Sequence, residues 1–272
     1  MNDETDHAYI PSLLVQNPLP QRDPGRSTFT RRVGGQEITL TSATGIPFGH
    51  VGRMTLALAV TDAVQNRSPR VEMGSVGEWL KRLNTTSTGG VYGSISGLRD
   101  QFSRIHQLYI NWKLNTPSEG GIKTQSINLP VSSHMEIWWT KKQIDALVPT
   151  LFDNYLMFHQ EFLAYIIKHS VPVDLDVYNK FQAPLAQDIY AWLSWKLGSL
   201  EEPLDLSWAA ITPQFSDKVQ KNPREWRKRW AARALEVVNE GYPGAHIKST
   251  ETGILLFPSP RAIRPRNPGF VV

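Results

Sequence analysis

A basic run that also contains two tryptophans is the strongest candidate for chemistry in this 272-residue sequence. It extends over residues 221–235 and reads Lys-Asn-Pro-Arg-Glu-Trp-Arg-Lys-Arg-Trp-Ala-Ala-Arg-Ala-Leu. In a helix with 100° per residue, Trp226 and Trp230 fall on one side, while Arg224 and Lys228 fall on the opposite side. A helix with this pattern buries its tryptophans and presents cations to solvent. Such a face suits the major groove of duplex DNA, where arginine can form bidentate contacts with guanine.

The basic residues of this run differ in how well they are placed to read bases. Arg224 lies near the amino end of the predicted helix and is therefore the best candidate for contacting base edges. The other candidate DNA-binding residues of this half are Arg227, Lys228, Arg229, Arg233 and Lys248. The alternative, a solvated basic face with no role in nucleic-acid binding, stays open at this point.

A second amphipathic segment, in the first half of the chain, is less basic. Its polar face and a following hairpin supply Ser96, Arg99, Ser103, Arg104, Lys113 and Lys123. These side chains suit contacts with phosphate and sugar, which position a protein on DNA without reading its sequence. Single lysines on hairpins also serve solubility alone, so the two hairpin lysines carry the weaker expectation.

Motifs of catalysis are missing from the sequence. It has no Walker phosphate loop, no His-Glu-x-x-His pair, no Gly-x-Ser-x-Gly elbow and no cysteine. Cysteine nucleophiles, thiolate metal sites and disulfide frameworks are thereby excluded. We therefore expect no enzyme, no catalytic residues, no metal and no cofactor.

Net charge is uninformative as a sum but informative along the chain. The formal net charge is +4, yet residues 218–272 alone have a net charge of +7 and the preceding residues one of −3. A basic carboxyl-terminal part joined to a slightly acidic body points to an anionic polymer or surface as the partner. No apolar stretch is long enough to span a membrane, and the acidic start does not resemble an export signal. We expect a cytoplasmic protein that does not bind membranes.

Elements with the same order occur in both halves of the chain. Helical periodicity over residues 50–65, a short strand at 70–73, a capping box at Ser75 and a third helix from Ser94 precede a hairpin at 109–129. The second half repeats this order of helix, short strand, helix, turn, helix and hairpin between residues 184 and 257. This order is typical of a winged helix-turn-helix.

The fold class predicted is α+β, with two tandem winged-helix domains. We place an extended amino-terminal arm at residues 1–36, the first domain at 37–140, the second at 141–257 and a basic Pro/Arg tail at 258–272. The adjacent Trp138 and Trp139 are expected in a strand, one in the core and the other at a contact between domains or protomers.

Several segments resemble the RepA-type plasmid replication initiators. The similar segments are Ile46-Pro-Phe-Gly-His-Val-Gly-Arg53, residues 56–64, residues 71–80, Gly89-Gly90, Leu98-Arg-Asp-Gln101, residues 171–176, residues 184–195 and residues 255–260. The resemblance covers about residues 40–260 and spans both predicted domains. It implies an origin-binding protein that recognises repeated sites beside its own gene, helps host initiation proteins and helicase to load, and in many cases represses its own transcription as a dimer.

The sequence departs from that family where the first domain should be most basic. Val-Tyr-Gly follows the Gly89-Gly90 turn, and Gly97 lies within the predicted third helix, where glycine costs about 1 kcal/mol relative to alanine. The first domain is therefore expected to read DNA more weakly or to serve dimerisation. A protein that only represses transcription and a protein–protein adaptor of the replication machinery remain the alternatives.

Overall fold

The computed structural model describes residues 7–86, 88–90, 93–137 and 154–263. Its helices, labelled in chain order over these ranges, are α1 Ser12–Gln16, α2 Gly49–Asn66, α3 Val76–Arg82, α4 Ser94–His106, α5 Gln160–His169, α6 Leu175–Lys180, α7 Pro184–Lys196, α8 Trp208–Phe215 and α9 Pro223–Glu240. Its strands are β1 His7–Pro11, β2 Thr28–Val33, β3 Gln36–Thr41, β4 Arg70–Glu72, β5 Tyr109–Ser118, β6 Gly121–Pro130, β7 Ser132–Glu136, β8 Tyr155–Phe158, β9 Ser170–Asp174, β10 Leu204–Ser207, β11 Ile247–Ser249 and β12 Gly253–Leu256.

These strands form open antiparallel sheets, so the fold is mixed α/β. The strand orders are β1-β9, β2-β3-β5-β6, β4-β8-β7 and β10-β12-β11. Within the described ranges, no helix is both long enough and apolar enough to cross a bilayer.

The helix boundaries follow local sequence signals. At α3, the hydroxyl of Ser75 accepts a hydrogen bond from the Glu78 amide (3.2 Å), and the Glu78 carboxylate accepts one from the Ser75 amide (2.7 Å). This is the predicted capping box. Pro184 occupies the first turn of α7, where the missing amide hydrogen costs nothing. Asn222 caps α9 by accepting a hydrogen bond from the Glu225 amide (3.2 Å).

Two segments of the chain, called here the first and the second unit, each combine three helices with a three-stranded sheet in the same order along the sequence. In the first unit, α2, β4, α3 and α4 precede the pair β7 and β8, and the sheet order is β4-β8-β7. In the second unit, α7, β10, α8 and α9 precede the pair β11 and β12, and the sheet order is β10-β12-β11. In each unit, the last strand of the set therefore lies between the other two.

The hairpin β5–β6 belongs to a different sheet from the one that the sequence pattern suggests. Its strand β5 pairs with β3, in the register Ile38↔Trp112 and Leu40↔Ile110. Ile38, Leu40 and Ile110 are buried, so this pairing is fixed by an apolar sheet face that packs into the core. The expectation that this hairpin forms the wing of the first unit is wrong, because β7 and β8 complete that unit's sheet.

The predicted boundaries of the segments also differ from those in the structure. The expected boundary at residues 140/141 falls between β7 and β8, which are paired, so β8 belongs to the first unit. The expected amino-terminal arm is packed from His7 onward: β1 pairs with β9 and β2 pairs with β3. Residues 1–6, Trp138, Trp139 and the tail from residue 264 lie outside the described residues, whereas Ser259 of the tail accepts a hydrogen bond from the His246 amide (3.0 Å).

Buried arginines connect the amino-terminal segment with both units. Arg53 on α2 contacts Asp188 on α7 and donates to the carbonyl oxygens of Pro20 (3.0 Å) and Leu19. Arg31 on β2 contacts Asp217, which follows α8, at 2.6 Å. The segment around residue 20 is therefore held between the two units by charge-assisted hydrogen bonds.

Candidate nucleic-acid interface

Aromatic packing fixes the orientation of α9. Trp226, Trp230, Ala234 and Val237 are buried, at the helical spacing that the sequence predicts. The ring of Trp208 on α8 meets Trp226 edge-on at a centroid distance of 6.1 Å and Trp230 at 5.7 Å. Because aromatic pairs of this geometry stabilise beyond the area that they bury, α9 cannot rotate about its axis without losing them.

Fixing the apolar side of α9 exposes its basic side. Arg224, Lys228 and Arg229 are exposed, and within the described part of the chain none of them forms an ion pair. The cations lie on the solvent side of the helix, as the helical spacing predicts, and are accessible to an external polyanion.

The two other arginines of this helix are partly engaged. The guanidinium of Arg227 lies 6.0 Å from the Trp208 ring centroid, within the range of a cation–π contact, although the side chain is exposed. Arg233 is half-buried and forms an ion pair with Glu236. We therefore rank Arg233 below the other basic residues of α9 as a candidate for DNA contact.

Lys248 lies on the hairpin that follows α9. It is exposed on β11, opposite Leu255 of β12. Gly253 begins β12, and a Cβ atom there would collide with the Leu206 carbonyl of β10, so glycine permits the close approach of these strands. Lys248 is thus carried on a strand that is anchored to the second unit's sheet.

In the first unit, the residues predicted on α4 have unequal exposure. Arg99 is exposed, whereas Ser96 and Ser103 are half-buried. The Ser96 hydroxyl donates to the Gly93 carbonyl (2.8 Å), and the Ser103 carbonyl accepts from the Thr44 hydroxyl (3.1 Å). Arg99 is the member of this set best placed for an external contact.

Arg104 has a structural role instead of the predicted one. Its guanidinium contacts Asp100 at 2.7 Å and Asp23 at 2.9 Å, and it donates to the Ile46 carbonyl at 3.1 Å. It also lies over the Phe48 ring at 4.9 Å, and its side chain is only 12 % exposed. With two carboxylates already bound, Arg104 offers no free positive charge to a phosphate, and we withdraw it as a DNA-binding candidate.

The two hairpin lysines lie on β5–β6 and not on the strands that complete the first unit. Lys113 is half-buried and stands between Glu37 and Ser126 in the sheet register. Lys123 is exposed in the distal part of the hairpin, opposite Thr116. Neither lysine therefore lies on the hairpin of the first unit that corresponds to the hairpin of Lys248 in the second unit.

Two further basic residues join the candidate interface. Lys218 and Lys221 are exposed in the turn between α8 and α9, immediately before Arg224. The charge excess of the carboxyl-terminal part begins at Lys218, so the sequence already contained this signal. We define the basic surface of the second unit as Lys218, Lys221, Arg224, Lys228 and Arg229.

A family model described as plasmid encoded RepA protein matches residues 46–208. The chain belongs to this RepA family. No curated protein matches the sequence. Two crystal structures of domains 2 and 3 of RctB have the same fold. The first has a TM-score of 0.57 at 13% identity over 93% of this chain and 97% of the other, and the second has 0.52 at 12% over 90% and 94%.

Family membership supports a role in plasmid replication initiation. The family match ends at residue 208, which is the first residue of α8, so it does not include α9. The role of the basic surface must therefore be argued from its own geometry and charge.

Proposed function

We propose that this chain is a sequence-specific, duplex-DNA-binding plasmid replication initiator built on two winged-helix units. Each unit has the helix, strand, helix, helix and two-strand order of that motif, and in each the last strand is central in its sheet. The observation that carries the proposal is α9, whose tryptophans are buried on one side, while the other side exposes cations that have no ion pair among the residues that the structure describes.

The second unit is the proposed base reader. A helix fits the major groove, which is about 12 Å wide, and residues near the helix amino end reach base edges. Arg224 is the second residue of α9 and is exposed there. Its planar guanidinium can donate to both O6 and N7 of a guanine. Lys248, on the hairpin strand β11, is proposed to contact the phosphate backbone.

The first unit has a smaller proposed role in DNA reading. Arg104 is neutralised inside the protein, which leaves Arg99 as the exposed arginine of α4. Contacts from α4 would then position the protein on the duplex without specifying sequence. Homodimerisation through this half of the chain is the further role that we propose for it.

The remaining proposals concern partners. We propose that the protein recognises repeated sites at the plasmid origin, acts in the cytoplasm by binding instead of catalysis, and recruits the host replication initiator and helicase. Repression of its own gene would use the same basic surface, because operator and origin contacts need the same base-reading helix.

The test is a binding titration of the full chain against the DNA that flanks its own gene, at two salt concentrations. Neutralisation of several phosphates predicts that log Kd rises linearly with log salt, by about 0.9 per phosphate contacted. Affinity that hardly changes with salt would contradict the proposal and favour a protein–protein adaptor. Salt-dependent, specific binding without support of an origin plasmid in a host would favour a repressor.

A further inference from the structure

The turn between α8 and α9, residues 216–222, exposes an apolar side chain directly ahead of the basic helix. Val219 is 94% exposed, more than any other exposed large hydrophobic residue in the described part of the chain. Isolated apolar residues are common on protein surfaces and need no explanation by themselves. The significance of Val219 therefore depends on how the turn is held and on what surrounds it.

The start of this turn is anchored from a distant part of the sequence. Arg31 donates to the Asp217 carboxylate (2.6 Å) and to the Ser216 carbonyl (2.7 Å). The backbone amide of Gln21 donates to the same carboxylate (2.7 Å). The Arg31 side chain is 2% exposed. Buried, charge-assisted hydrogen bonds of this kind fix the backbone that they hold.

Local hydrogen bonds hold the next residues of the turn. The Ser216 hydroxyl donates to the Lys218 carbonyl (2.6 Å), and the Gln220 side-chain amide donates to the same carbonyl (3.1 Å). Val219 lies between Lys218 and Gln220 along the chain. Its side chain is therefore presented to solvent by an ordered turn, and the entropy cost of ordering it on binding is reduced.

Exposed cations flank Val219 along the chain. Lys218 and Lys221 are exposed on either side of Val219 along the chain, and Arg224 follows on the first turn of α9. Cations close to Val219 in the sequence favour a polyanion over an apolar protein surface as the partner. The apolar group that duplex DNA offers in its major groove is the C5 methyl group of thymine.

We propose that Val219 is a specificity-determining residue that contacts a thymine methyl group beside the base read by Arg224. This inference rests on the proposed function, because it assigns a further contact to the same DNA interface. The contact is apolar and local, so it changes which sequence is preferred without changing the number of phosphates that are neutralised.

The test removes only the methyl group. A binding site is first selected from a random pool of DNA duplexes with the full chain, and each thymine is then replaced singly by uracil. At one thymine, the unaltered protein is expected to lose about fourfold in affinity, the value of one buried methyl group. Val219→Ala is expected to lose a similar factor on the thymine duplex and to show no further loss on the uracil duplex.

The matched control is Ile122→Ala, which truncates another exposed apolar residue, at 73% exposure, on the distal part of the β5–β6 hairpin. This variant is expected to keep the full uracil effect. If no single uracil weakens binding, or if Val219→Ala shows the same uracil effect as the unaltered protein, the thymine contact is wrong while the proposed function stands. If the unaltered protein selects no sequence from the pool, the proposed function fails and this inference fails with it.

Discussion

Arg53 on α2 and Asp188 on α7 form a bidentate ion pair, with Nε–Oδ1 and Nη2–Oδ2 distances of 2.7 and 2.8 Å. The two side chains are 3% and 6% exposed. Burial raises the pKa of Asp188 above its ordinary value, whereas the adjacent guanidinium charge of Arg53 opposes that rise. Because the partners belong to different units, the pair links the interior of one unit to the interior of the other.

We expect Asp188→Asn to lower the free energy of unfolding by about 3–5 kcal/mol, because it leaves the Arg53 charge buried without a counterion. Urea denaturation followed by tryptophan fluorescence measures this change. The double substitution Arg53→Met with Asp188→Leu removes both charges and should lose less than Asp188→Asn alone. A larger loss in the double variant would contradict this account of the pair.

Arg224→Ala is expected to weaken binding to the selected site by about 1–3 kcal/mol and to relax preference at one base pair. The measurement is affinity for a set of duplexes that vary at single positions. Arg233→Ala is the matched control on the same helix, because Arg233 already forms an ion pair with Glu236. Unchanged base preference in Arg224→Ala would show that another residue reads the base.

Lys248→Ala is expected to weaken binding equally for all sequences and to reduce the slope of log Kd against log salt by about one, the loss of one phosphate contact. Titrations at several salt concentrations give the slope. The contrasting variant is Arg104→Gln, which removes a cation already bound by Asp23 and Asp100 and should leave the slope unchanged while lowering stability. A reduced slope in Arg104→Gln would restore that residue to the DNA interface.

His50 makes stability depend on pH in a defined direction. Burial lowers its pKa below the ordinary 6.5, so the unfolded chain binds a proton at His50 more readily than the folded protein does. Well above pH 6.5, His50 is neutral in both states and does not lower stability. As the pH decreases through 6.5 toward the lower pKa of the folded protein, the free energy of unfolding falls. His50→Gln should show a smaller fall in the urea midpoint between about pH 7 and pH 5. An unchanged fall would assign the pH dependence to other groups.

Local elements were predictable from the sequence because their signals lie within a few residues. The capping box at Ser75, the proline at the first turn of α7 and the tryptophan spacing of α9 each depend on neighbours three or four positions away. The same locality made the exposed cations of α9 predictable, since burying Trp226 and Trp230 determines which side faces solvent.

Pairing across the chain was not predictable by the same reasoning. The sequence predicts the β5–β6 hairpin, but its partner β3 precedes it by a whole helical region, and no local pattern indicates which sheet the hairpin joins. Arg104 looked like a phosphate contact because Asp23, one of its two carboxylate partners, lies 81 positions earlier in the sequence. Long-range partners decide whether a basic residue is free or neutralised, and a single sequence does not contain them.

The anchoring of Arg31 has a consequence for how the chain folds. Its partner Asp217 is separated from it by 186 positions, and Asp188 is separated from Arg53 by 135. During synthesis both arginines emerge long before the groups that satisfy them, so the amino-terminal half cannot reach its final packing until α8 has been made. The two units are therefore expected to unfold in a single cooperative transition, and a chain that ends before Asp217 should expose its amino-terminal half to proteases.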